Sequence, residues 1–212
     1  MGVLERKKKH KEDLKKDILN AARELFTERG WESTSIRNIA EKIEYSPATI
    51  YLYYKDKNEI IFDLHREGFG LLVNYLGALQ GVTEPFERLK AMGRGYIRFA
   101  LENQDTYKLI FVMEEPMKHV ASCAEMDWSE GDKAFDLLLN TVRACQEAGY
   151  FKQMNAINLS FVIWSTMHGL CTLRTSGHLG HVALFRNSDI HIDALLSASY
   201  EELVRMLERL KN

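Results

Sequence analysis

Cysteine is scarce in this chain: three in 212 residues, Cys123, Cys145 and Cys171, an odd number without paired spacing. A disulfide framework has no support, and reduced, mostly buried thiols of a cytosolic protein are expected. A secretory signal is missing too, because the charged start is not followed by an apolar run; the expected location is cytoplasmic. No stretch suits a lipid-facing span. The longest uncharged segment, Gln153 to Leu173, holds Asn155, Asn158, Ser160, Ser165, Thr166 and His168. A helix apolar nearly all round in a soluble protein is expected to be buried on several sides. No P-loop, G-x-S-x-G, H-E-x-x-H or complete G-x-G-x-x-G pattern occurs, so catalysis has no support and no cofactor is implied. His119 and Cys123 stand at i, i+4, and His178 and His181 lie near glycines. Neither pair completes a three- or four-ligand set, so no metal is expected. Internal repeats, low-complexity tracts and convincing strands are also missing.

Charge is short of one sign overall, at −2, but it is unevenly placed. Residues 1–57 hold 13 Lys and Arg against 10 Asp and Glu, whereas the remainder holds 15 against 20. A mildly basic head on an acidic body orients the head toward phosphate. The run Arg6-Lys7-Lys8-Lys9-His10-Lys11 reads either as a flexible arm reaching DNA or as a solvated tail, with residues 1–12 taken as flexible.

Residues 33–57 are the most informative. Ile36, Ile39, Ala40 and Ile43 fall at i, i+3, i+4 and i+7, one apolar stripe of a short helix with Ser35 as N-cap. Glu44-Tyr45-Ser46 intervene, and a second helix opens with Ser46 as N-cap and Pro47 in its first turn. Ile50 and Tyr54 look inward; Pro47, Ala48, Thr49, Tyr51 and Tyr53 look outward, with Lys55 and Lys57 just beyond. Two short helices about a tight turn, the second presenting small, hydroxylated and basic groups, form the helix-turn-helix pattern for a DNA major groove. Ahead of it, Leu14, Ile18, Ala21, Ala22, Leu25 and Phe26 predict a longer helix stopped by Gly30. Behind it, Asp56 and Glu59 resemble a capping box opening a helix through Ile60, Ile61 and Leu64.

These residues resemble the N-terminal signature of the TetR family of transcriptional regulators. The matching pieces are Ala22-x-x-Leu25-Phe26-x-x-x-Gly30, Thr34-Ser35-Ile36, Ile39-Ala40, Ser46-Pro47-Ala48-Thr49-Ile50-Tyr51 and Tyr53-Tyr54-Lys55-Asp56-Lys57. Two departures stand out: Glu44 where the family usually has Gly, and Tyr45 in place of a small aliphatic residue. A non-glycine there must accept positive φ at modest cost. The resemblance implies DNA binding through Thr34, Ser35, Arg37, Ser46, Pro47, Ala48, Thr49, Tyr51, Tyr53, Lys55 and Lys57. Ser35, Tyr51 and Lys57 are then phosphate contacts, the last at a helix N-terminus, and Arg37, Pro47, Ala48 and Thr49 face the groove.

Beyond residue 80 the chain reads as helices. Thr83-Glu84-Pro85 opens one whose inner stripe is Phe86, Leu89, Met92, Tyr96 and Phe99 or Ala100. Tyr107, Ile110 and Phe111 suggest another. Residues 127–148 carry Trp128, Phe135, Leu138, Leu139, Val142 and Cys145 up to a stop at Gly149, and Asn155 caps the uncharged helix. Gly177, Gly180 and Asn187–Asp189 read as a loop before the last helix. Gly149-Tyr150-Phe151 and Trp164-x-x-x-His168-Gly169 resemble the W…HG class of TetR C-terminal domains, which implies a helical regulatory domain with a small-molecule pocket and a dimer interface. Tyr96, Phe99, Tyr107, Phe111, Trp128, Phe135, Trp164, Met167, His168 and Cys171 are pocket candidates, with plain core as the alternative for each. Segments 156–176 and 190–210 are the expected dimer seam, with Leu196, Ser199, Leu203, Met206, Leu207 and Leu210 as its stripe.

The expected architecture is all-α: a helix-turn-helix domain at 1–57 and a helical ligand-binding and dimerisation domain at 58–212. Its expected partners are a double-stranded operator, a second copy and a hydrophobic effector. The leading reading is a ligand-responsive dimeric regulator, most often a repressor in this family. A DNA-binding dimer whose body binds a protein partner is the alternative, and an all-helical enzyme is disfavoured by the missing catalytic constellation.

Overall fold

A computed structural model describes residues 3–122, 128–186 and 191–211. The described residues form helices α1 (Val3–Arg29), α2 (Ile36–Lys42), α3 (Pro47–Tyr51), α4 (Lys57–Gly77), α5 (Pro85–Glu102), α6 (Gln104–Phe111), α7 (Glu115–Ser122), α8 (Ser129–Glu147), α9 (Ala156–Thr175), α10 (His178–Arg186) and α11 (Ile192–Glu208), with one 3-10 turn at Ala78–Gly81. The expected all-α architecture is observed. Cys123 and the stretch Asn187–Asp189 lie outside the described residues, as does the side chain of His119.

The helices divide into two compact units. One comprises Met1–Gly70 with Asp105–Trp128, the other Leu71–Gln104 with Ser129–Asn212. This partition differs from a boundary at residues 57 and 58. The stretch of α4 up to Gly70 stays with the head, where Phe69 meets Phe111 edge-on at 5.4 Å and Gly68 lies against Ile110.

In the first unit the apolar stripe of α1 is buried as its spacing requires, at Leu14, Ile18, Ala21, Ala22, Leu25 and Phe26, and so are Ile39 and Ala40 of α2, Ile50 of α3 and Ile60, Ile61 and Leu64 of α4. Each Leu, Ile or Phe among them contributes roughly 1.5–3 kcal/mol by leaving water. Gly30 at φ +80 ends α1, its amide donating to Phe26 O at 3.1 Å. The first three turns of α1 differ from expectation. Residues 3–12 are a continuous part of the 27-residue α1, which corrects their reading as a flexible tail.

In the second unit α5 buries Phe86, Leu89, Met92, Tyr96, Phe99 and Ala100, the stripe expected of it. Glu84 caps α5 and Asn155 caps α9, each accepting from an amide three residues on. Phe86 stacks on Tyr150 at 4.5 Å, and Phe151 N donates to Leu210 O at 2.7 Å, tying the α8–α9 turn to the end of α11. Gly177 at φ +81 ends α9, but the segment after it is α10 instead of the expected loop. Gly180 serves contact there: a Cβ would lie 2.9 Å from Ile192 Cδ1. Cys145 and Cys171 are free and buried, and burial pushes both thiols up to about 12.

Candidate nucleic-acid interface

The turn between α2 and α3 is a Schellman closure. Tyr45 N donates to Ala40 O at 2.9 Å and Glu44 N to Glu41 O at 3.2 Å, with Glu44 itself at φ +60. The positive φ anticipated at this non-glycine residue is present. Ser46 then caps α3, its Oγ accepting from Thr49 N at 3.2 Å and lying 3.0 Å from Thr49 Oγ1. Ser35 caps α2 reciprocally with Asn38: Asn38 N donates to Ser35 Oγ at 3.2 Å, and Ser35 N and Oγ donate to Asn38 Oδ1 at 3.0 and 2.7 Å. The Ser35 proton is therefore engaged in the cap.

The remaining candidates separate by exposure. Ser35, Arg37, Ser46, Ala48, Tyr51 and Lys55 are exposed, and Pro47, Thr49 and Tyr53 are half-buried. Thr34 is elsewhere: it is buried, and its hydroxyl lies within reach of Gly30 O at 2.9 Å and Leu25 O at 3.2 Å, closing the α1–α2 corner. Lys57 is turned inward as well. Its ammonium donates to Trp31 O at 3.0 Å and Thr34 O at 3.3 Å, and lies 4.2 Å from the centre of the Trp31 ring. Four bare methylenes carry this charge to two carbonyls that no helix satisfies, which sequence spacing alone does not reveal.

Tyr54 is also held from several sides. Its hydroxyl donates to Asp63 at 3.0 Å, Lys15 pairs with the same carboxylate at 2.7 Å, and burial with the Asp63 charge drives the phenol far above its ordinary range. The end of α3 is thus fixed to α4 and α1 together. Asp56 Oδ1 accepts from Asn58 N and Glu59 N, and Glu59 reaches back to Lys55 N at 2.7 Å, so the capping arrangement read at α4 is present with its return bond one residue earlier. The geometry adds one residue to this surface: Lys11 Nζ lies 6.0 Å from the centre of the Tyr53 ring.

The ten pocket candidates do not form one group. Tyr107, Phe111 and Trp128 belong to the first unit, packed with Phe69 and His65. His65 is 1% exposed with both ring nitrogens unpartnered, and burial lowers its pKa to about 4. Sequence reasoning missed it, although it stands at i+4 from Ile61 and i−4 from Phe69 in an apolar stripe. The second unit holds the others. Phe99, Met167 and Cys171 are core, while Phe135, Phe161 and Trp164 cluster with ring centres 4.7–6.3 Å apart. Tyr96 Oη lies 3.2 Å from His168 Nδ1, and burial lowers the His168 pKa. Phe161, Val162, Trp164, Ser165 and His168 line an open cleft of about 290 Å³ on α9.

The seam candidates divide too. Leu196 and Leu207 are buried within their own chain in line with Tyr200 and Val204, because 100° per residue carries those positions to the inner face. Ser199, Leu203 and Leu210 are half-buried, and Met206 is 65% exposed. Nor is α9 buried on several sides: Leu159, Ser160, Ile163, Met167 and Cys171 face inward, and Ile157, Phe161, Val162 and Leu173 are exposed.

Residues 18–64 match the family described as bacterial regulatory proteins, tetR family, and residues 89–206 match the tetracyclin repressor-like C-terminal domain. The chain is 24% identical to the HTH-type transcriptional regulator HbdR of Aromatoleum sp. (strain CIB) over 159 residues, 74% of this chain and 68% of that protein. It is 34% identical to the fatty acid metabolism regulator protein of Bacillus subtilis (strain 168) over 56 residues, 26% and 29% of the two chains. Its fold is similar to that of the fatty acid degradation regulator FadR from Bacillus halodurans, with TM-score 0.68, 18% identity and coverage of 90% and 94%. With a helix-turn-helix on its surface and both domain families matched along its length, the chain belongs to the TetR family of DNA-binding transcriptional regulators.

Proposed function

We propose that this protein acts as a homodimeric repressor that binds a palindromic operator and is released by a hydrophobic small molecule held in its C-terminal unit. The observation that carries the dimer is the outward face of α9. Ile157, Phe161, Val162 and Leu173 are exposed and no charged side chain interrupts Ala156–Leu173, while Leu203 and Met206 of α11, with Leu210 just past its end, add further apolar groups. A soluble chain rarely leaves such a face uncovered, and a second copy covers it isologously. Two copies bring two recognition elements to a palindrome, which gives the specificity that the five-residue α3 lacks alone.

On each head, Arg37, Pro47, Ala48 and Thr49 meet base edges, and Tyr51 and Lys55 meet phosphates, while the Ser35 hydroxyl holds the cap of α2. Thr34 and Lys57 hold the corner behind them. The effector site is the aromatic cluster of Phe135, Trp164 and His168 with Tyr96, and its apolar rings with one hydrogen-bonded imidazole suit a hydrophobic molecule carrying a polar group. Two relatives named for fatty acid metabolism or degradation support that chemistry. Sedimentation of the full chain at micromolar concentration tests the assembly: a dimer is expected, with Val162→Glu monomeric and unable to hold a palindrome. A monomeric wild type, or a Val162→Glu chain that still dimerises, overturns it. A thermal-shift screen with fatty acids and aromatic acids tests the effector class, since a ligand of the folded state stabilises it by RT ln(1+[L]/Kd).

A further inference from the structure

We propose that the first turns of α1 are a second DNA-contacting element, a basic helical rod that grips phosphates beyond the footprint of α2 and α3. The proposal rests on the DNA-binding reading above and extends it to a part of the chain outside the helix-turn-helix.

Among the side chains of α1 whose exposure is described, Leu14 is the first buried one, and Glu5, Arg6 and Lys8–Asp13 ahead of it are all exposed. At 1.5 Å per residue they reach roughly 15 Å along the helix. Five of the six residues from Arg6 to Lys11 are Lys or Arg, and Arg6, Lys8, Lys9, His10 and Lys11 are exposed. The first turn of α1 holds Glu5, which the macrodipole favours, but past it Arg6 with Lys9 and Lys8 with Lys11 stand at i, i+3, where like charges repel. A polyanion removes that penalty, and local rules are broken in this way where function requires it.

Geometry gives the direction. Lys11 Nζ lies over the Tyr53 ring, so the row Lys8–Lys11 runs on the side of Tyr53 and Lys55, just past α3. The next member of that row, Lys15, is paired with Asp63 at 2.7 Å, which marks where the row passes from external to internal partners. Lysines are point charges that position a protein on the backbone without reading bases. A membrane surface is the poorer partner, because Glu5 to Asp13 contains no apolar residue to insert.

The test uses the full chain and fluorescently labelled random-sequence duplexes, so no operator is needed. Wild type is compared with the triple variant Lys8→Gln/Lys9→Gln/Lys11→Gln by anisotropy across a salt series. On a duplex of about 40 base pairs the slope of log K against log[salt] is expected to become shallower by about 2–3 units. Relative preference among sequences and the thermal unfolding midpoint stay unchanged. On a duplex of about 15 base pairs, too short to pass beyond α2 and α3, the two proteins are expected to differ little. Equal slopes on the long duplex, or altered base preference at equal slope, overturn the rod. So does a charge-dependent difference seen only on phosphatidylglycerol vesicles. A wild type that binds neither duplex at low salt defeats the underlying DNA-binding reading instead, whereas a wild type that binds with an unchanged variant slope defeats the rod alone.

Discussion

The ring of Tyr200 in α11 lies directly on the backbone of Gly93 in α5, so close that a Cβ at Gly93 would sit 2.6 Å from Tyr200 Cε2. The Tyr200 hydroxyl donates to Lys90 O at 2.6 Å, and burial, pushing its pKa up to about 12, keeps it a donor. Helix propensity alone favours Ala over Gly by about 1 kcal/mol. Gly93→Ala is nevertheless expected to destabilise the second unit by about 1–3 kcal/mol through overpacking. Chemical denaturation measures this, and the cost should shrink in a Tyr200→Leu background if the ring is its source.

Lys57→Met keeps the side-chain stem but removes the ammonium from Trp31 O and Thr34 O. Both carbonyls then lose this donor, Trp31 O keeping the Thr34 amide at 3.2 Å, at about 1–3 kcal/mol of head stability. Because this charge is spent within the protein, the salt slope of DNA binding should stay put. A slope shallower by about one unit with unchanged stability would return Lys57 to the phosphate contacts.

Glu44 holds φ +60 in the turn. A side chain there costs roughly 1–2 kcal/mol, part of which glycine loses again through its freer unfolded chain. Glu44→Gly is expected to stabilise the head by about 0.5–1 kcal/mol, read as a higher unfolding midpoint. An equal or lower midpoint would mean that the Glu44 side chain compensates for its backbone.

His65 sets a pH dependence. Its folded pKa is about 4 against an ordinary 6.5, because burial disfavours the charged ring. Between those values the unfolded chain binds the extra proton, so stability rises with pH through that window and falls as pH drops from 6.5 toward 4. The full difference is roughly 3 kcal/mol. His65→Leu should flatten this part of the profile and raise stability at neutral pH, since two unpartnered nitrogens leave the interior. A wild-type curve flat across the window would show that the ring has access to water.

The helix-turn-helix was legible because local chemistry specifies it: a Ser cap before each short helix, Pro47 in the first turn of α3 and the i, i+3, i+4 stripe from Ile36 to Ile43 need no distant partner. Gly180 misled because a glycine read as a breaker also permits close packing, and only the arrival of Ile192 distinguishes the two. Lys57 and Thr34 carry groups suited to DNA, yet each is claimed by carbonyls of the α1–α2 corner that spacing does not bring near. The pocket candidates were chosen by residue type, and the fold assigns Tyr107, Phe111 and Trp128 to one unit and the rest to the other. Amphipathic spacing placed Leu196 and Leu207 on the right helix, but their stripe is wide enough that part of it serves the chain's own core.

The bond from Phe151 N to Leu210 O, with the Lys211 ammonium 4.9 Å from the centre of the Tyr150 ring, joins segments some sixty residues apart in the chain. During synthesis the turn after α8 emerges long before its partner exists. That bond cannot form until the ribosome has delivered Leu210, and until α11 follows, the inner face of α9 lacks that helix as cover. The first unit also waits, though less long, for Phe111 and its neighbours to settle against α4. Birth order thus completes the first unit before the second, and the delay is longest for the helices whose apolar faces most need shielding.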